Sequence, residues 1–489
     1  MSARPSRPDA FLGVDLGSSE IRAGLVTPGG RLLALARRRY ETTVDAARGT
    51  AEQDPEAWWA SLVAVVREVM DGIDADVAGI AVDGHGPTMT AVDRDGRPTV
   101  PAITWLDRRA SAEAGELAGA TGMVGWTLGV TPAALWLERH APEAAARTAW
   151  YLNSWEALTL RLTGLARSTR VAGQARPDPE SLASLGIPPG RLAPVIGAGE
   201  VVGGLSGEAA VALGLPAGTP VVAGVVDAFA SFHGARMLGP GDAIDPGGAS
   251  GGFGVYWDRE VQAAGSFTNP APLPGLFVIG GAMAATGRAV EWLRDDVLGG
   301  NRSTDALLDE AAAIAPGADG LVFLPYLAGE RSPIWDADAR GAFVGLTLDH
   351  GRAHLTRAVL EAAAHAIRHV ALPIVAGGVR VDAMRVCGGP ARNATWNQLK
   401  ADVTGFTVEV PAVLEAAIVG SAILAATGTG AHADLPTAIA AMTSIERRVE
   451  PDPSRTEVYD RAFAAYRALH PALGPVLRTL RAPLAGARA

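Results

Sequence analysis

The chain contains one cysteine, Cys387, and one lysine, Lys400. A lone cysteine has no partner for an internal disulfide, so the fold must rest on burial and hydrogen bonding. The lysine shortage excludes more. A Walker A loop needs Gly-Lys-Ser/Thr, and a protein kinase needs a strand lysine against the phosphates. Lys400 stands in Gln398-Leu-Lys-Ala-Asp402, which is neither. Every other basic residue among the 42 is arginine, and 52 acids bring the net charge to −10. That balance lacks the basic footprint of a nucleic-acid binder. No apolar run reaches the roughly 20 residues that span a bilayer. The nearest, residues 416–426, contains Gly420 and Ser421 and reads as a buried helix. The first ten residues carry Arg and Pro but no apolar core of a secretory signal. A cytoplasmic chain with no membrane and no nucleic-acid partner is therefore expected.

Glycine, by contrast, is abundant: 59 residues, with 33 prolines, in a chain of 489. This makes the chain turn-rich while keeping it below the ~25–30% Gly plus Pro of low-complexity sequence. The length predicts two domains. Phe11-Leu-Gly-Val-Asp15-Leu-Gly-Ser-Ser-Glu20 reads as a strand and a tight polar turn, and a second turn at Pro28-Gly-Gly30 makes a three-stranded meander. Asp54-Pro55-Glu56 opens a helix with Trp58, Leu62, Val65, Val66 and Val69 on one face. A β-rich run over residues 77–82 follows. Residues 109–215 read as helical and turn-rich, and residues 221–226 as a buried strand ending at Asp227. Near Gly241 a second meander begins, where Asp245-Pro-Gly-Gly-Ala-Ser250-Gly-Gly echoes the turn after Asp15. The echo predicts a duplicated domain plan, with residues 1–237 and 238–489 as the two domains. Tyr459, Phe463 and Tyr466 fall at i, i+4 and i+7 of a terminal helix as packing residues.

Three glycine turns could carry chemistry: Gly17-Ser18-Ser19, Gly248-Ala249-Ser250-Gly251 and Gly388-Gly389. Glycine lets backbone N–H groups approach an anion, and serine adds donors. Each turn alone is also ordinary hairpin or cap chemistry. Their placement with acids is more specific, because Asp15 and Asp227 end strands close to such turns. Mg²⁺ is commonly held at such places through one or two carboxylates and water.

Taken together, these segments resemble the FGGY family of carbohydrate kinases. The most specific match is Gly341-Ala-Phe-Val-Gly-Leu346, seven further residues, then His354-Leu-Thr-Arg-Ala-Val-Leu-Glu361. Supporting matches are Asp15-Leu-Gly-Ser-Ser, Trp105-Leu-Asp-Arg-Arg-Ala110, Gly224-Val-Val-Asp227, Cys387-Gly-Gly-Pro-Ala-Arg-Asn393-Ala-Thr-Trp-Asn397 and Glu415-Ala-Ala-Ile-Val-Gly420. The resemblance implies an α/β fold of two ribonuclease-H-like, actin-type ATPase domains flanking a nucleotide and sugar cleft. It implies ATP-dependent phosphorylation of a sugar hydroxyl, with Asp227 as catalytic base and Asp15, with Asp227, at Mg²⁺. Gly17, Ser18, Ser19, Arg22, Gly248, Ser250, Gly251, Gly388, Gly389, Asn393 and Asn397 are the implied nucleotide contacts. His85, Trp105, Asp107, Arg108 and Asp227 are the implied sugar contacts. The first domain would hold the sugar and the second the nucleotide, and a homodimer is compatible with the family.

Departures from the family pattern bear on the substrate. Arg22 stands where lysine is common, Ala249 replaces a threonine, Pro390 a glycine and Ala133 a lysine. Where xylulose-type members carry Gly-Gln-Met-His-Gly, this chain has Asp83-Gly-His-Gly-Pro-Thr-Met89. A ketose, polyol or aldonate acceptor therefore stays open. Two other readings are an actin-like or chaperone-like ATPase without sugar transfer and a catalytically silent sugar-binding regulator.

Overall fold

The apolar run after Asp9 forms β1 (Asp9–Leu16), which pairs antiparallel with β2 (Glu20–Val26); β2 in turn pairs with β3 (Leu32–Arg39). Asp54 caps α1 (Pro55–Met70) by accepting the Glu56 N–H at 2.9 Å, and the five apolar positions picked out by periodicity are all buried. β4 (Asp76–Gly84) then lies parallel to β1. After β5 (Val201–Gly204) and β6 (Pro220–Val222) the chain enters α2 (Asp227–Gly234). The sheet runs β5-β6-β4-β1-β2-β3, with α1 packed across β2 and β3. The intervening region is helical and turn-rich, but it also holds short strand pairs, Thr90–Val92 with Trp150–Leu152 and Ser168–Arg170 with Val195–Gly197. Three-residue strands are too short to show alternation.

The computed structural model describes residues 9–45, 48–171 and 173–481. They group into two units. The first holds the described residues up to Leu238 with Pro270–Pro274 and Glu415–Ser444, and the second holds Gly239–Asn269, Gly275–Leu414 and those from Ile445 onward. The second unit is built from β7 (Asp242–Asp245), β8 (Gly252–Trp257), β9 (Phe267–Pro270), β10 (Phe277–Ala282), α3 (Thr286–Trp292), α4 (Arg352–Ala376), β11 (Ala383–Val386), α5 (Ala394–Thr404) and β12 (Val408–Pro411). The chain then forms α6 (Ala416–Gly428), which belongs to the first unit, and ends with β13 (Ile445–Val449) and α7 (Thr456–Arg481).

The second sheet runs β9-β10-β8-β7-β11-β12-β13. In each unit an antiparallel meander is extended from its first strand by two parallel strands, β4 and β6 in one, β11 and β12 in the other. The duplicated plan is thus present in strand order, although the sequences of the halves share little beyond one turn.

Two packing features bear on function. Helix α4 is long and apolar enough to cross a membrane, yet 72% of its most apolar window is buried in the protein. Its Arg357 pairs with Glu361 at 2.7 Å and donates to the Tyr459 hydroxyl at 2.7 Å, which marks a core helix. Helix α6 lies backbone to backbone on α2 and β1. A Cβ on Gly420 would stand 1.8 Å from the Ala230 carbonyl oxygen, one on Gly234 1.9 Å from that of Ala416, and one on Gly13 2.1 Å from that of Ile418.

Gly420→Ala is expected to cost about 2 kcal/mol or more through overpacking. Gly190→Ala, whose added methyl meets open space, should change stability by less than about 0.5 kcal/mol; urea titration compares the two. A second expectation concerns His365 of α4, buried against Phe463 and Tyr466 with Nδ1 unpartnered. Burial, with some help from Arg368, lowers its pKa from 6.5 to about 3. Below about 6.5 the unfolded chain gains a proton that the native chain refuses until about 3, so stability falls as pH falls through that window. In His365→Phe the acid limb of Tm against pH should be shallower; an unchanged limb would contradict this.

Candidate active site

The parallel register sets Asp15 of β1 directly beside Asp83 of β4. Beyond β6, Val226 bridges Gly84, so Asp227 follows at the same end of the sheet. Three adjacent strands thereby deliver three aspartates at their carboxyl ends, the edge of a parallel α/β sheet where ligands gather. Asp15 and Asp83 are fully buried, while Asp227 is partly accessible at the N-terminus of α2. Arg22 of β2 donates to Asp15 Oδ2 and, at 3.1 Å, to Glu415 Oε2 at the start of α6. From the same helix Ser421 donates to Asp83 Oδ2 at 2.6 Å. Asp227 Oδ1 accepts the N–H of Ala228 at 2.7 Å.

The electrostatics follow from this crowding. Burial, then the charges of Asp15 and Asp227, hold Asp83 well above the usual carboxylate range, against the Ser421 hydroxyl. Asp227 is pushed up to about 7 by loss of water around it and then by Asp15, against the Ala228 N–H and the Arg22 guanidinium. Burial works against the charge of Arg22, but Asp15 and Glu415 outweigh it and raise its pKa. Among the described residues no three His, Cys, Asp or Glu side chains form a metal cage. Magnesium is usually held more sparsely, by a carboxylate or two with water. Asp15 Oδ1, buried and without a hydrogen-bond partner, is a donor suited to it.

The first glycine turn is tied down from several sides. Tyr40 donates through its hydroxyl to the Gly17 carbonyl, Gln53 Nε2 to the Ser18 carbonyl at 2.8 Å, and Trp105 Nε1 to Ser18 Oγ at 3.0 Å. Ser19 is exposed. Of the expected sugar contacts, Trp105 therefore reaches this turn. Asp107 is engaged elsewhere: its carboxylate takes the Ala51 N–H at 2.7 Å and a bidentate grip from Arg109. Arg109, not Arg108, is its partner, and Arg108 is exposed. His85 is buried, with Nδ1 2.8 Å from Thr88 Oγ1, its ring at the edge of Trp58 and Nε2 unpartnered. Burial lowers its pKa to about 4, so it is neutral.

In the second unit the turn between β7 and β8 has Gly247, Gly248 and Gly251 at positive φ. The Ala249 carbonyl accepts from Arg288 N at 2.9 Å, that of Ser250 from Thr286 Oγ1 at 3.0 Å, and that of Gly251 from Met283 N at 3.3 Å. With those carbonyls turned toward residues 283–288, the amides of Ser250 and Gly251 point the opposite way across planar peptides. Glu330 steadies this backing by accepting the Ala284 N–H at 2.8 Å. The segment at Gly388 and Gly389 lies alongside, since a Cβ on Gly247 would stand 2.5 Å from the Cys387 carbonyl oxygen. Asn393 and Asn397 have local duties. Asn393 caps α5 through the Trp396 N–H at 2.8 Å, and buried Asn397 holds the Ala391 carbonyl at 2.8 Å. Thr286, Glu330, Arg109 and the pairing of Asp83 with Asp15 had no mark in the expected site.

Residues 10–234 match the N-terminal domain, and residues 247–429 the C-terminal domain, of the FGGY family of carbohydrate kinases. The xylulose kinase of Bacillus subtilis (strain 168) is 28% identical over 445 residues, spanning 86% of this chain and 88% of that protein. The gluconokinase of the same organism is 28% identical over 451 residues, with the same shares. The crystal structure of xylulose kinase from Rhodospirillum rubrum matches with a TM-score of 0.79 at 31% identity, over 96% of this chain and 100% of that one.

Proposed function

Because this chain belongs to the FGGY family of carbohydrate kinases, we propose that it transfers the γ-phosphate of ATP to a hydroxyl of a neutral ketose or polyol, with Asp227 as the base. It is a carbohydrate kinase with two actin-type, ribonuclease-H-like domains. The readings without sugar transfer, a chaperone-like ATPase or a silent regulator, lose their support with that membership. The observation that carries the proposal is Asp227, partly accessible beside Asp15, with its pKa pushed up to about 7. A carboxylate with that affinity for protons is a better acceptor than an ordinary aspartate, and it needs to act only as the hydroxyl oxygen begins to bond to phosphorus.

The Bacillus subtilis relatives named for xylulose and for gluconate are equally identical to this chain, so the acceptor is argued from the site. The cation acting on Asp227 is Arg22, and Asp15 and Glu415 already engage it. An acidic surrounding of that kind disfavours an anionic aldonate and suits a neutral polyhydroxy acceptor. Asp15, with Asp227, would hold Mg²⁺, which supplies charge stabilisation at the phosphates when bound. The amides of Gly17–Ser19 in the first unit and of Gly248–Gly251 in the second would bind phosphate oxygens. Gly388 and Gly389 would carry the rest of the nucleotide through backbone, since Asn393 caps α5 and Asn397 is buried. Asp107 would act through the loop it fixes, and Trp105 by orienting Ser18. Enzyme and ATP would meet in the cytoplasm.

Release of ADP, followed with xylulose, other ketoses, polyols and gluconate, tests this. A neutral ketose or polyol should give a kcat/KM at least about tenfold above gluconate, roughly the discrimination a single contact supplies. ATP hydrolysis without sugar should be far slower than transfer. If gluconate is the best acceptor the acceptor proposal fails, and equal rates with and without sugar would remove sugar transfer altogether. Asp227→Asn should lower kcat by about 10²–10⁴ while ADP binding, measured by calorimetry, survives. Unchanged turnover would take the base role from Asp227.

A further inference from the structure

The single lysine of the chain is buried, far from the surface where lysines normally sit. Lys400 Nζ lies 2.5 Å from Asp245 Oδ2 and 4.9 Å from the centre of the Trp396 ring. The other carboxylate oxygen of Asp245 accepts the Gly247 N–H at 2.9 Å. Asp245 is the last residue of β7, and Gly247 is the first left-handed residue of the turn that follows. Lys400 sits on α5, whose N-terminus is capped by Asn393 directly after the Gly388–Arg392 segment. One side-chain pair therefore ties the β7–β8 turn to the helix that carries the second glycine segment. A cavity with room for about one water molecule lies at this junction. Asp245, Gly247, Gly248, Pro390, Trp396 and Lys400 are among the residues that line it.

We propose that Lys400 is a positioning residue for nucleotide binding: through Asp245 it holds the Gly247–Gly251 turn in register with the Gly388–Gly389 segment, so that both sets of backbone donors bind one nucleotide. Lys400 does not touch the phosphates. Its ammonium pairs with Asp245, and it acts by fixing where the turn begins. This differs from the lysine of a Walker loop, which meets the phosphates itself. The pair is connected at every end: carboxylate to lysine, carboxylate to turn amide, lysine to the ring of Trp396. A buried carboxylate left with one partner would swing toward any other donor, and the turn would follow.

The inference rests on reading residues 247–251 as a phosphate turn, and the measurements keep the two apart. Protein grown on isotope-labelled lysine carries one labelled side chain, so its NMR signal belongs to Lys400. Addition of ADP should shift that signal saturably, with the same Kd that calorimetry gives, and sugar alone should leave it in place. Binding of ADP with an unmoved lysine signal would overturn the positioning role. Absence of ADP binding in the wild-type enzyme would instead overturn the kinase reading. Lys400→Met strands a buried carboxylate and should weaken ADP binding at least tenfold. The double variant Lys400→Met/Asp245→Asn removes both charges and restores thermal stability, yet should keep a raised KM for ATP with the KM for sugar within twofold of wild type. Recovery of the wild-type KM for ATP in that variant would show that the pair only satisfies buried charge.

Discussion

Burying negative charge is the constraint on which the first unit is built. Asp15, Asp83 and Asp227 stand at the ends of neighbouring strands, and two of the three have no access to water. Each isolated carboxylate in such a place would cost several kcal/mol. The chain answers with one guanidinium, one hydroxyl and one amide, from Arg22, Ser421 and Ala228. The compensation is incomplete, and the shortfall appears as the raised pKa values of Asp83 and Asp227. Unspent negative potential is what a magnesium ion and the proton of a substrate hydroxyl can each relieve. The cluster is thus left with an unbalanced charge, which the proposed ligands would offset.

Helix α6 makes that arrangement possible although it arrives more than 180 residues after α2. Its first turn presents Glu415 to Arg22, and its second presents Ser421 to Asp83. Neither contact could be made if the helix stood at an ordinary distance from β1 and α2. Interaxial spacing is normally 8–10 Å; glycine at 13, 234 and 420 removes the side chains that would keep α6 away. A helix apolar around its whole circumference, as residues 416–426 are, needs such enclosure on all sides. Electrostatics and packing are therefore one problem here, solved by one element.

Local signals made much of this legible. The Asp54-Pro55-Glu56 start of α1, both meanders, and Asp15 and Asp227 beside glycine turns were all readable from short-range pattern. Asp83 was visible only as part of a loop, because its role depends on the parallel register of β4 against β1, and no local residue encodes a nonlocal pairing. The grip of Arg109 on Asp107 did have a local signal. Asp107 Oδ1 takes the Arg109 N–H two residues on, the Asx-turn geometry that Asp favours, and it aims the next arginine back at the carboxylate. Asn393 likewise stands where a helix cap belongs, directly before α5, and it caps that helix. Lys400 gave no sign, since a buried lysine on a helix is readable only once its acid is found 155 residues away.

The two units handle charge in opposite ways. In the first, carboxylates outnumber the cation that serves them, and the proposed mechanism draws on that surplus. In the second, a carboxylate and a lysine cancel, and donors come from backbone at glycines that bear no charge at all. That division explains why a chain almost devoid of lysine can still be built to handle phosphate. An amide at a left-handed glycine needs no side chain to reach an anion, but it must be aimed, because a peptide dipole displaced by an ångström loses most of its directional benefit. A phosphate-binding lysine tolerates misplacement through its flexible stem. Backbone donors do not, so the cost moves from the contact to the framework. Thr286, Glu330, Asp245 and Lys400 are where that framework is visible, and each acts on a carbonyl, an amide or a carboxylate one step removed from the turn's outward-pointing N–H groups.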